Sequence, residues 1–373
     1  MLPEPFAIGL LGFVLLYAAA QVALAARLAR VPPDVAGLPD AELPPVAVLV
    51  AARDEAAKLP CCLAALAALD YPPDRLTILI ADDGSTDATP ELLAAFAVGH
   101  PNRRILLISE QLGRAVGKGN ALAHLIAATD AELLACCDAD IAVPSTWARA
   151  LVAEAARTGA ALVVGTTLIA GEGGLASAQR LDWLRALATL RVATALGRPF
   201  TGMGNNQLLR RSAYYATGGY EALPFSVTED FQVFQELTRR GYRTTHLLDA
   251  AVLAWSAPAA SWAELVRQRR RWLRGLLTGL TPRLAVAAAA EALVLPALLA
   301  LAGGGWWHWA LLGWGAKVAA PAALLRVARQ RLGLPPIGIG EVLRQEAYLL
   351  SLAVVLPLAT LWPGKVRWKG REL

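Results

Sequence analysis

Residues 46–87 read VAVLVAARDEAAKLPCCLAALAALDYPPDRLTILIADDGSTD, and their rhythm decides the fold. Val46 to Val50 is apolar on both faces, as a strand covered from both sides must be. Glu55 to Leu69 is an alanine-rich helical stretch, and Leu76 to Ile80 a second buried strand. The same alternation continues through a helix at Thr89 to Val98, a strand at Arg104 to Ile108, a helix at Asn120 to Ala128 and a strand at Glu132 to Cys137. Strand–helix alternation of this kind predicts an α/β fold, a Rossmann-like, mostly parallel sheet with helices on both faces. Ligands on such sheets sit beyond the carboxyl ends of the strands, where the polar loops fall here. The domain is expected over 44–261.

Outward from this block the texture becomes apolar. Phe6 to Ala26 is broken only by Gln21, is long enough to cross a bilayer, and is followed by Arg27 and Arg30. Positive charge after the run places that end in the cytoplasm. Ala23-Leu24-Ala25 resembles a signal-peptide cleavage site, but no Lys or Arg precedes the run and its length exceeds an ordinary signal core. Residues 1–30 are therefore expected to be an anchor and 31–43 a linker. Residues 262–281 form an amphipathic interfacial stretch. Trp262, Leu265, Val266, Leu273, Leu276, Leu277 and Leu280 make its apolar stripe, with Arg267, Arg270, Arg271 and Arg274 largely off it. In 282–373, Leu284 to Ala302 and Trp306 to Leu325 are spanning candidates. Tyr348 to Trp362 is short and contains Pro357, and is expected as a re-entrant or interfacial hairpin that keeps the basic tail cytoplasmic.

Composition agrees with a membrane class. The 373 residues are 56% hydrophobic and 17% charged, against about 25% charged in soluble domains, with a mean hydropathy of +0.45. The net charge of +5 lies near apolar segments, which suits anionic lipid better than nucleic acid. Cys61-Cys62 and Cys136-Cys137 are adjacent pairs without metal-ligand spacing, read as reduced, buried small hydrophobes. The excess of Arg over Lys hints at a GC-rich bacterial source.

Several clusters fall at strand ends. Asp82-Asp83-Gly84-Ser85 is either a plain turn or a carboxylate pair aimed at a nucleotide. Asp138-Ala139-Asp140 puts two repelling carboxylates after an apolar strand, a pair that Mg²⁺ or Mn²⁺ and substrate phosphates can complete. Val227-Thr228-Glu229-Asp230 opens a helix, where Thr228 can cap and a carboxylate can act as general base. Gly117-Lys118-Gly119-Asn120 offers a lysine to phosphate near a helix N-terminus. The four histidines are scattered, which argues against zinc.

Together with Gln268, Arg271 and Trp272, these clusters resemble the motif set of the membrane-bound family 2 glycosyltransferases with a GT-A catalytic domain. The resemblance covers Val46 to Trp272, with matching membrane segments on either side. The ending Val366-Arg367-Trp368-Lys369-Gly370-Arg371 looks like the tail of the lipid-modifying branch, which includes ceramide and carotenoid glucosyltransferases. The resemblance implies a hexosyltransferase using a UDP-sugar donor and a membrane-lipid acceptor, and a multi-pass protein of the inner membrane with a cytoplasmic catalytic domain. It assigns Arg53, Glu55, Asp82 and Asp83 to the nucleotide, Lys118 and Asp138 to the nucleotide-sugar, and Asp140 with Asp138 to the metal. It assigns Asp230, next to Glu229, to the general base, and Gln268, Arg271 and Trp272 to the diphosphate and the acceptor end. Thr201 to Asn206, with Gly202, Asn205 and Asn206, would line the acceptor pocket. Asp54 departs from the Asn of many relatives. The expected reaction is a single inverting displacement. A processive polysaccharide synthase shares every motif but extrudes its glycan through more helices, and a non-catalytic nucleotide-sugar sensor would not need metal, base and arginine together.

Overall fold

The computed structural model describes residues 1–32, 37–226, 228–277 and 281–361, with 367–368 and 371–372 pairing as a short antiparallel hairpin. Side chains at 276, 277, 283 and from 357 onward lie outside the description, so Leu276, Leu277, Leu280 and the terminal tail motif cannot be placed. Val227 lies outside it too.

Helix α1 (Glu4–Arg30) precedes the catalytic domain, which then alternates β1 (Val46–Ala52), α2 (Leu59–Ala67), β2 (Leu76–Asp82), α3 (Thr89–Ala97), β3 (Arg103–Leu107), α4 (Lys118–Ala127) and β4 (Leu133–Asp138). These four strands run parallel in the order β3-β2-β1-β4. Helix α2 begins four residues after the expected start because Pro60, without an amide hydrogen, suits a first turn. Residues 53–58 are thereby left as a loop at the carboxyl edge.

The second half is less regular. It comprises β5 (Ile141–Ala142), α5 (Trp147–Thr158), β6 (Leu162–Val164), β7 (Thr166–Ile169), α6 (Gly174–Ala195), β8 (Asn206–Arg210), α7 (Arg211–Ala216), α8 (Gly219–Ala222), α9 (Glu229–Arg239), β9 (Thr244–His246) and β10 (Leu253–Ser256). Strand β8 enters antiparallel between β4 and β6, completing a seven-stranded sheet ordered β3-β2-β1-β4-β8-β6-β9. Strands β5, β10 and β7 form a small second sheet. Two apolar clusters cover the faces of the main sheet.

Four helices follow: α10 (Trp262–Leu277), α11 (Pro282–Gly303), α12 (Trp307–Arg331) and α13 (Ile339–Leu361). Among the described residues, three segments are long and apolar enough to cross a membrane: Glu4–Arg30, Leu284–Gly303 and Trp307–Arg331. Helices α1, α11 and α12 pack together, and α6 lies against α1, α12 and α13. A buried cluster including Leu28, Trp183, Leu184, Leu187, Leu324 and Ala328 joins the catalytic domain to this bundle.

Two expectations are corrected. The run from Tyr348 is no separate hairpin over 348–361; it is the second half of α13. The polar residues that hid the first half find partners: Glu341 pairs with Arg329 at 2.7 Å, and Glu346 with Lys317. Of the four free cysteines, Cys62, Cys136 and Cys137 are buried but Cys61 is exposed, on the solvent side of α2.

Candidate active site

Strand register builds the site. Ala51 is level with Asp138 across β1–β4, and Ala52 with Asp82 across β1–β2. Both aspartates therefore leave the sheet at one edge, on either side of the Arg53–Lys58 loop.

On the β2 side, Asp82 is consumed by its own turn. Its Oδ1 accepts from the Ser85 amide at 3.0 Å and the Ser85 hydroxyl at 2.5 Å. Asp83 faces Arg53, whose Nη1 donates to the Asp83 carbonyl at 2.6 Å and lies 3.7 Å from its Oδ2. Asp54 has φ +49°, a left-handed conformation that Asp and Asn tolerate better than other side-chain-bearing residues. Its Oδ1 accepts from the Thr86 amide at 2.8 Å, a bond the amide oxygen of Asn could equally make. The departure from the motif therefore preserves the loop. Glu55 stands half-buried beside it, its amide donating to Thr89 Oγ1.

On the β4 side, two lysines meet the two aspartates. Lys118 Nζ is 2.6 Å from Asp138 Oδ1 and 3.3 Å from Glu229 Oε1, and Lys58 Nζ is 3.5 Å from Asp140 Oδ2. Burial opposes the Lys118 ammonium, but Asp138, Glu229 and Asp230 outweigh it and raise its pKa. Burial also pushes the Glu229 carboxyl up, against the pull of Lys118. One ammonium thus links residues about 90 apart in the chain, the first from D-x-D and the second from T-E-D. Lys58 escaped the sequence reading; its one signal is a basic residue closing the R-D-E loop.

The T-E-D turn differs from its expected capping geometry. Thr228 makes no side-chain cap; its hydroxyl lies 3.3 Å from that of Ser226. Asp230 instead anchors the neighbouring loop, its Oδ2 accepting from the Gly204 amide at 2.6 Å. A Cβ on Gly204 would lie 2.6 Å from the Asp230 Cβ, so only glycine permits this approach. Gly202 is similarly packed on Phe234 of α9.

The two asparagines after Gly204 part company. Asn206 is 1% exposed and belongs to the core, contrary to its expected place in the acceptor pocket. Its Oδ1 accepts from Trp147 Nε1 at 2.8 Å, and its Nδ2 donates to the carbonyls of Thr166 and Val252. Alternation along β8 turns it inward. Asn205 keeps a buried Oδ1 with no hydrogen-bond partner among the described residues.

At the start of helix α10 the Ser261 hydroxyl accepts from the Glu264 amide, and the Glu264 carboxylate accepts from the Ala260 amide just before the helix. Its Gln268, Arg271 and Trp272 are half-buried. Trp272 meets Trp183 of α6 edge-on at 5.3 Å, and Gly275 is pressed directly onto Thr228. The helix carrying Q-x-x-R-W therefore touches the T-E-D motif at Thr228.

No group of three or more His, Cys, Asp or Glu side chains suited to a metal occurs among the described residues. Asp138 and Asp140 offer two hard oxygen donors, a set that fits Mg²⁺ or Mn²⁺ when substrate phosphates complete the shell. His246 is buried, its pKa pushed down to about 3, and is neutral and remote from this chemistry.

A mostly parallel sheet carrying paired carboxylates, a fixed aspartate and a cationic helix at one edge, joined to apolar helices, defines a glycosyltransferase with a GT-A catalytic domain. The chain belongs to glycosyl transferase family 21, whose family model matches residues 10–373. It is 30% identical over 235 residues to the beta-monoglucosyldiacylglycerol synthase of Nostoc sp., covering 62% of this chain and 49% of that protein. The enzyme of that name from Synechocystis sp. is 30% identical over 241 residues, with 62% and 48% covered. The chain spans about half the length of these curated relatives. The mannosyltransferase PcManGT of Pyrobaculum calidifontis, solved with GDP-Man and Mn²⁺, shares the fold, with a TM-score of 0.62 over 96% of this chain and 99% of that one at 22% identity. The membrane-associated glycosyltransferase class with a GT-A fold that the motifs resemble is borne out by the family match and the shared fold.

Proposed function

We propose that this glycosyltransferase moves a sugar from a UDP-sugar to a hydroxyl of a membrane lipid, by a single inverting displacement that depends on a divalent cation. The observation carrying this reading is the Lys118 ammonium shared by Asp138 and Glu229. It brings the donor-binding and base-bearing motifs to one point, with Asp230 fixed beside them by Gly204.

Arg53, Glu55 and Asp83 take the nucleoside, while Asp82 shapes the turn that presents them. Lys118, Lys58 and Arg271 supply positive charge to the diphosphate. Asp138 and Asp140 would hold Mg²⁺ or Mn²⁺, which would supply positive charge against that growing on the leaving diphosphate. Asp230 accepts the proton of the acceptor hydroxyl as it attacks the anomeric carbon. Glu229 balances the charge of Lys118. The orphaned Asn205 carbonyl and the Trp272 indole line the acceptor side. An α-linked donor then gives a β-glycoside.

The names of the relatives point to glucose and diacylglycerol as the first pair to test. The gathering of Arg27, Arg30, Arg326, Arg329 and Arg331 at one end of α1 and α12 supports a catalytic domain on the cytoplasmic side of the inner membrane. Membranes containing the wild type or Asp230→Asn, given labelled UDP-glucose, are extracted and analysed by mass spectrometry. A labelled glycolipid from the wild type alone is expected. Labelled polymer without glycolipid would replace this reading with that of a polysaccharide synthase.

A further inference from the structure

We propose that Asp182, Arg269 and Tyr348 form a positioning clamp that sets the Q-x-x-R-W helix against the catalytic turn, and so makes α13 part of the transfer machinery. The inference rests on the functional reading above and adds residues to which no motif gives a role.

Arg269 occupies an unspecified position of the motif, between Gln268 and Arg271. Unlike a lipid-facing arginine, it turns inward. Its Nη2 lies 2.6 Å from Asp182 Oδ2 in α6 and 3.1 Å from the Tyr348 hydroxyl in α13. The two charged side chains are 17% and 15% exposed, so the pair is largely shielded from solvent. The Arg269 guanidinium carbon also lies 4.9 Å from the Trp272 ring centre. Trp183, the neighbour of Asp182, closes on the same indole from α6. At the start of α10, Trp262 packs on Tyr348 with ring centres 5.8 Å apart. One side of the helix is thus held by α6 and α13, and Trp272 is flanked by Trp183 and by Arg269, the partner of Asp182.

The helix then reaches the catalytic turn. Gly275 stands six residues after Arg269, about 9 Å along the axis, where a Cβ would overlap Thr228. A helix clamped at one end and seated without clearance at the other cannot roll. Arg271 and Trp272, between the two contacts, take their positions from both. Releasing the clamp lets these side chains drift while leaving the nucleoside pole, on the far side of β1, untouched. Catalytic groups displaced by about 1 Å lose on the order of 100-fold in rate.

The test uses the full chain in phosphatidylethanolamine–phosphatidylglycerol proteoliposomes containing diacylglycerol, with UDP-glucose. UDP release and glycolipid are both measured for Asp182→Asn, Arg269→Gln, their double variant, Asp182→Glu and Tyr348→Phe. The two single variants are expected to lower kcat about 30- to 100-fold, with the donor KM within about twofold. The double variant should be no worse than either single, because each abolishes the same clamp. Asp182→Glu should recover part of the loss, and Tyr348→Phe should cost about threefold to tenfold. Losses that multiply in the double variant, or that fall on the donor KM, overturn the clamp. So does unchanged kcat in Tyr348→Phe, which removes one hydroxyl and decides the matter if the charge variants fail to fold. UDP release without glycolipid would overturn the acceptor reading alone, since the cycle is read on UDP.

Discussion

Adding one methyl group at Gly204 is expected to disable the enzyme without disturbing donor binding. The Cβ of Gly204→Ala would lie 2.6 Å from the Asp230 Cβ and 3.2 Å from its Oδ2. Carbon atoms in comfortable contact stand about 3.5–4.0 Å apart, so Asp230 must retreat by about 1 Å. The 2.6 Å bond from the Gly204 amide to Asp230 then lengthens or breaks. A displacement of that size at a reacting group costs about 100-fold in rate, and overpacking costs about 1–3 kcal/mol in stability. The Arg53–Asp83 contacts lie at another strand end, so the donor KM should stay within about twofold. The assay compares kcat, donor KM and thermal unfolding of Gly204→Ala with wild type and with Gly9→Ala, whose added Cβ would meet nothing within 4 Å. A kcat above about a third of wild type would refute the argument that Asp230 must sit where Gly204 holds it.

Lys118→Met leaves Asp138, Glu229 and Asp230 without their common counter-charge and should weaken UDP binding at least tenfold by calorimetry, roughly the effect of losing one charge-assisted contact. Because its folded pKa is raised from 10.5, the stabilisation by Lys118 is complete below that value and should show no loss between pH 6 and 9 in wild type. In Lys118→Met the burial that raises Glu229 is unopposed. That variant should lose stability as pH rises from 5 to 8, measured by thermal unfolding, whereas a pH-independent loss would count against the charge argument. Asn206→Ala removes three buried hydrogen bonds and should destabilise by about 3 kcal/mol. Its folded fraction should keep near-normal KM values, whereas an acceptor-binding role would raise the acceptor KM. Cys136, its thiol pushed up to about 12 by burial, should resist alkylation along with buried Cys62 and Cys137. Peptide mass spectrometry at pH 8 should find Cys61 modified first.

Local patterns were enough for the first half of the fold. Strands β1, β2 and β4 are short apolar runs bounded by polar turns, and their burial follows from composition, whereas the edge strand β3 is only partly covered. The D-x-D and T-E-D carboxylates were legible for a related reason, since charge after an apolar strand or at a helix start needs compensation. Helix α13 was half hidden, because its first turns are polar and only the pairing of Glu341 and Glu346 with other helices makes their burial possible.

What the sequence determined by itself is therefore the class: a strand–helix domain between apolar segments, with its charged residues gathered at strand ends. Only the tertiary structure decided which side chains work together. Asn205 and Asn206 are neighbours in sequence, yet one keeps an orphaned carbonyl and the other is spent in the core. Lys58, Asp182 and Tyr348 gain their roles from partners 82, 87 and 79 residues away, and Lys118 from partners 20 and 111 residues away. Periodicity reports burial, which each residue carries locally, whereas an ion pair is a property of two positions that only the packed chain brings within about 4 Å.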